Sequence, residues 1–225
     1  MTTMPAAVPD THEPGSLTLV QLQALSELRL LPSRILHASR LDQFDPSGHW
    51  RGLLAQSTHP APIHRHWSQA VLKQLAIRDS AQVMPRAAAL PVALLPVNQI
   101  NALAAWLGLQ LCASRLRTMI SKSELEPLLQ LPCRDLVVQA RQMGAAVHYP
   151  ASTQWSAKQI ATHYADLGAC AVLHACDSSG PESALYRLLA LKLPETTPWP
   201  DLPDADLLLH ACLEFLNKHS RHDVS

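Results

Sequence analysis

The stretch VNQINALAAWLGLQLCASRLRTMIS, residues 97–121, sets the architecture expected of the whole chain. Leu103, Trp106, Leu107, Leu111, Leu116, Met119 and Ile120 return at the three- and four-residue spacing that lines one face of an α-helix. In its first half apolar residues cover most of the circumference, which predicts a central, buried helix. The second half gains Arg115 and Arg117, with Lys122 just beyond, cations suited to the carbonyls at a helix C-terminus. Ser123, with Glu126 three residues on, predicts the cap of a following helix that Pro132 stops.

The same reading extends both ways. Upstream, Ser16 or Thr18 caps a helix reaching about Leu31, and Pro32 ends it. A short helix over 33–41, a turn at Asp45, Pro46, Ser47 and Gly48, one helical turn over 50–54 and a loop over 58–62 follow. Trp67, Val71, Leu72 and Leu75 share a face of an amphipathic helix over 66–77. His64 and His66 are expected at the surface. Residues 80–96, with three Pro and three consecutive Ala, read as a connector with at most a short helix.

Downstream, helices are expected over 134–146 and 156–176, the second with Ile160, Tyr164, Leu167, Ala171 and His174 along one stripe. Ser179 and Glu182 repeat the cap pattern before a helix over 184–193 closed by Pro194. A Pro-rich loop over 196–203 surrounds Trp199. The last helix begins near Asp204 or Asp206 and runs to about Asn217.

Composition agrees with this pattern. The 225 residues are 48% hydrophobic and 16% charged, the reverse of a disordered chain. Leu and Ala dominate and Gly numbers only 7, which favours helices over tight hairpins. The expected fold is all-α, a multi-helix globular protein with Pro-rich connectors. A flexible arm over 1–15, one helical domain over 16–217 and a polar tail over 218–225 complete the expected organisation.

Several functions lack support in the residues. Eighteen Lys and Arg balance 18 Asp and Glu, so no basic field gathers phosphates and no nucleic acid is expected. The same balance removes the repulsion that keeps many proteins apart, and fits self-association or a standing partner. No Gly-rich loop follows a strand, so no nucleotide loop is expected. Pro91, Pro96, Asn98, Gln99 and Asn101 interrupt the most apolar stretch, so no direct membrane insertion is expected. The opening residues lack a basic stretch followed by an apolar run, so no signal peptide is expected. Cys112, Cys170, Cys176 and Cys212 lie in apolar helical patterns and read as reduced, buried thiols.

Two constellations carry possible chemistry. His163, Cys170 and His174 share a helix face and are metal-ligating types, so a small metal- or thiol-dependent protein is the alternative reading. Their spread is against it, for His163 stands about 10 Å along the axis from Cys170. Cys133 follows Pro132 at an expected helix start, where the macrodipole favours a thiolate. Neither pattern matches an enzyme signature, so no catalysis, metal or cofactor is expected. Arg115 and Arg117 at their helix end, and Trp199 in its loop, are the candidate partner-binding residues, Trp and Arg being enriched at interface hot spots.

Three segments resemble the SctK/YscK family of the type III secretion sorting platform. They are Leu28-Arg29-Leu30-Leu31-Pro32-Ser33-Arg34-Ile35-Leu36-His37, then Trp106-Leu107-Gly108-Leu109-Gln110-Leu111 with Leu116-Arg117 and Ser123-Glu124-Leu125, and Tyr186-Arg187-Leu188-Leu189-Ala190-Leu191-Lys192-Leu193-Pro194. No one of these is a chemical signature, and their order along the chain gives the resemblance its weight. Residues 43–86 match poorly, and the N-terminal arm does not match at all. The resemblance implies a non-enzymatic cytoplasmic adaptor, peripheral to the inner membrane. Such an adaptor links the cytoplasmic domain of the ring protein SctD to the pod protein SctQ, and through it to the SctL stalk and the SctN ATPase.

Overall fold

A computed structural model describes residues 17–142 and 147–219. The arm expected over 1–15 lies outside the described residues, as do 143–146 of the helix expected over 134–146 and all but the first two residues of the expected tail.

The described residues form twelve α-helices and no strand: α1 (Leu19–Leu30), α2 (Leu41–Phe44), α3 (His49–Gln56), α4 (Pro60–Gln74), α5 (Leu90–Ala93), α6 (Val97–Leu111), α7 (Ala113–Thr118), α8 (Lys122–Leu129), α9 (Arg134–Gln142), α10 (Ala157–Cys176), α11 (Ala184–Ala190) and α12 (Ala205–His219). The fold is all-α. Its buried apolar residues make one cluster running from Leu25 to Phe215, and Ala89, Val92 and Ala93 of the Pro-rich connector belong to it.

Helices α6 and α10 cross at the centre, and two glycines set how closely. A Cβ on Gly108 would stand 1.8 Å from the carbonyl oxygen of Tyr164, and one on Gly168 would stand 1.8 Å from that of Ala104. Only hydrogen fits at either position. Around this pair, α12 and α8 lie against α10, and α9 lies against α6 and α7. Trp106 of α6 meets Phe215 of α12 with ring centroids 4.9 Å apart. No single described helix is long and apolar enough to cross a membrane. The 87–93 and 97–111 segments pass that test only together and meet at 105°.

Local rules explain most of the boundaries. Thr18 caps α1 and Ser156 caps α10, each in a reciprocal capping box with the Gln three residues on. Asp45 accepts from the backbone N–H groups of Trp50 and Arg51 and so tethers the start of α3, with Gly48 left-handed at φ 68°.

Other expectations are corrected. The long helix over 97–121 breaks at Cys112, because the Leu111 carbonyl accepts instead from Tyr149 N at 3.0 Å and Ser152 Oγ at 3.2 Å. The cap of α8 is Ser121, not Ser123: its backbone is extended and its hydroxyl accepts from Glu124 N at 3.1 Å. The loop expected over 58–62 is already helix, because α4 starts at Pro60, where a proline gives up no hydrogen bond. The helix expected over 33–41 is two 3-10 turns, Pro32–Arg34 and Ala38–Arg40, before α2. There His37 caps Ser39 N with its ring and gives its own N–H to Leu191 O. Ser179 does not cap α11, which starts after Ser183. Asp177 instead accepts from Ser179 N and Tyr186 N. The last helix runs on to His219, two residues into the expected tail.

Two buried polar contacts fasten the outer elements. His64, expected at the surface, is half-buried with Nδ1 3.0 Å from Ser33 Oγ. Burial, then the charge of Arg34, pulls its pKa down. Lys192 is 2% exposed, and its ammonium donates to the carbonyls of Ala93 and Leu95, each at 2.8 Å. Burial pulls its pKa down to about 8.

Candidate partner-binding surface

Two of the three candidate residues, Arg115 and Trp199, come together through a third residue, Trp155. Trp155 follows the 3-10 turn Pro150–Gln154 and precedes the Ser156 cap of α10, so its backbone is held between two short-range constraints. Arg115 of α7 donates from Nε to the Trp155 carbonyl at 2.9 Å, and from Nη2 to Glu124 Oε1 at 3.1 Å. The Trp155 ring in turn lies 5.4 Å from that of Trp199. Arg117 stands exposed in the last turn of α7.

One face of α10 holds the Trp199 loop. His163, Asp166 and Cys170, at offsets of three and four, lie along that face. Asp166 accepts from Trp199 Nε1 at 2.9 Å and from Thr197 N at 3.1 Å. Cys170 Sγ donates to the Thr197 carbonyl at 3.1 Å. The His163 ring lies 5.7 Å from Trp155 and 5.5 Å from Trp199, while buried Tyr149 closes the cluster at 5.8 and 6.0 Å from the same two rings. Burial, then the nearby carboxylate of Asp201, raises the Tyr149 phenol. The outcome is a half-exposed pair of indoles on a rigid base, rimmed by Arg115, Glu124 and His163.

His163 and Cys170 face the Trp199 loop, and His174 is half-buried three turns from His163. Among the described residues no group of three or more His, Cys, Asp or Glu side chains is placed to hold a metal ion.

Burial raises four of the thiols. Burial pushes Cys170 up to about 11 and Cys112 and Cys176 up to about 12, and it raises Cys212 further still, so these sulfurs stay protonated at neutral pH. Cys133 does sit at the start of α9, where its carbonyl accepts from Leu136 N at 2.9 Å. Its sulfur donates to Tyr164 Oη at 3.3 Å.

Arg115 and Trp199 are the residues that the sequence singles out by type. It does not point to Asp166, His163 and Trp155 as their supports. Comparison with protein-family models, curated proteins and solved structures finds no match for this chain.

Proposed function

We propose that the chain is a non-enzymatic adaptor of a bacterial type III secretion sorting platform, similar to the SctK/YscK family. It links the cytoplasmic domain of the inner-membrane ring protein SctD to the pod protein SctQ, and so to the SctL stalk and the SctN ATPase. In this role it resides in the cytoplasm, held at the inner membrane by its partners.

The observation that carries the reading is where the family-like segments fall. The first and third, far apart in sequence, meet: His37 N donates to Leu191 O at 2.7 Å, and Arg40 just beyond donates to the carbonyls of Leu193 and Pro194. The second runs through the central helix α6. Segments that meet in this way are needed together for the fold, which is how scattered Leu-rich motifs stay linked in one family. The indole pair of Trp155 and Trp199, with Arg115 at its rim, supports a protein-binding role.

Deleting the gene in a bacterium that carries the system tests the role. Secretion stops while the membrane rings still assemble. Secretion at the normal level without the protein overturns the reading.

A further inference from the structure

Helix α1 turns Leu25 and Leu28 into the core and leaves apolar side chains outside: Leu19, Val20, Leu22 and Leu30 are 82%, 77%, 46% and 53% exposed. At 3.6 residues per turn, Leu19, Gln23, Ser26 and Leu30 fall within a strip about 60° wide, opposite Leu25 and Leu28. They are spaced four, three and four residues apart, the alternation of a coiled-coil seam. That spacing reads the same from either end. The strip is apolar at both ends and polar in the middle, so it is complementary to itself when reversed.

We propose that this strip is a self-association surface on which α1 of a second copy lies antiparallel. Leu19 then packs against Leu30 of the second copy at both ends, and Gln23 meets Ser26 at the centre. The central pair is matched in hydrogen bonding. The Ser26 hydroxyl spends its proton on the Leu22 carbonyl at 2.9 Å, which leaves its oxygen free to accept from the Gln23 amide. A polar pair at one seam position fixes register. A two-fold axis through the middle makes each contact twice, as an isologous interface requires.

Charge does not oppose the pairing. The strip holds no ionised group, Glu27 at its flank is paired with Arg34, and the whole chain carries no net charge at neutral pH. A single helix of 12 residues covers less than the roughly 800 Å² per partner of a standard interface, so the association is weak and depends on concentration. Leu22 and Val20 on the two flanks add to the buried apolar area. This inference does not depend on the adaptor role.

Sedimentation equilibrium of the full chain between 1 and 200 µM tests it. The wild type shifts from one copy to two as concentration rises. The double variant L19E/L30E stays at one copy throughout, with an unchanged helical circular dichroism spectrum. The variant L19E/L30K associates more strongly than L19E/L30E, because antiparallel packing brings opposite charges together at both ends, whereas a parallel pair would bring like charges together in both variants. A wild type that remains one copy at 200 µM overturns the proposal and leaves the strip to another segment or partner. A dimer that survives L19E/L30E, or one that L19E/L30K weakens more than L19E/L30E does, overturns it equally.

Discussion

Gly108 and Gly168 face each other where α6 crosses α10: a Cβ on Gly108 would stand 3.1 Å from Gly168 N, and one on Gly168 would stand 2.7 Å from Gly108 N. The obstacle at each is a backbone carbonyl oxygen 1.8 Å from the ideal Cβ position, Tyr164 for Gly108 and Ala104 for Gly168. Backbone cannot rotate aside as a side chain does. Adding one methyl group therefore forces the two central helices apart and loosens every layer packed on them. Gly108→Ala and Gly168→Ala should each lower stability by about 3 kcal/mol in urea denaturation, at the upper end for overpacking. An alanine at Gly52, where nothing lies within reach of a Cβ, serves as the control and should be neutral or stabilising.

Lys192 makes stability depend on pH with a definite sign. Its folded pKa of about 8 lies below the 10.5 of a free lysine. Between these values the unfolded chain binds more protons, so this group's contribution grows as pH rises and is lost as pH falls through 8. The raised Cys112, Cys170 and Cys176 thiols act in the opposite sense. Their stabilisation is complete below pH 9.0 and is lost as pH climbs toward 11 to 12. Wild-type stability should therefore pass through a shallow maximum between pH 8 and 9 and then decline. Relative to Lys192→Met, the wild type should gain about 1 kcal/mol between pH 7.5 and 9, read from urea midpoints at each pH.

Asp166 is the clamp of the Trp199 loop, accepting two hydrogen bonds from it. Asp166→Ala leaves the indole N–H and the Thr197 N–H without their acceptor. The expected loss is about 2 kcal/mol, the range for hydrogen bonds to a charged group. Tryptophan emission should also shift to the red as the indole gains water. Emission and stability both unchanged would show that the loop holds itself.

Ser121 and Ser123 separate two readings of one cap. Both are followed three residues on by Glu, so both match the capping pattern. Only Ser121 has the extended backbone and the bond to a free helix N–H. Ser121→Ala should cost about 1 kcal/mol and Ser123→Ala a few tenths at most, measured by thermal melting.

The Ser121 case shows what the sequence could and could not reveal. Periodicity found α6 and α10 because long apolar stripes have no other explanation, and the Thr18 and Ser156 ends follow from cap residues that lie next to their targets. The break at Cys112 was not legible, because its cause is a carbonyl captured by Tyr149 and Ser152 some forty residues on. Lys192 lies between Leu191 and Leu193, where a lysine ordinarily reads as solvent-facing, yet two carbonyls of the α5–α6 connection hold it inside. The candidate surface divides in the same way. Trp199 stood out in a Pro-rich loop, whereas the support from Asp166, His163 and Trp155 depends on a loop folding back onto α10, which no local pattern encodes.

The adaptor role meets its most direct test in co-purification of the tagged, full-length chain from cells that carry the secretion system, at mild salt. The ring protein's cytoplasmic domain and the pod protein should be recovered together, and recovery should fall with Trp199→Ala at unchanged helical content. Recovery of neither protein would contradict it.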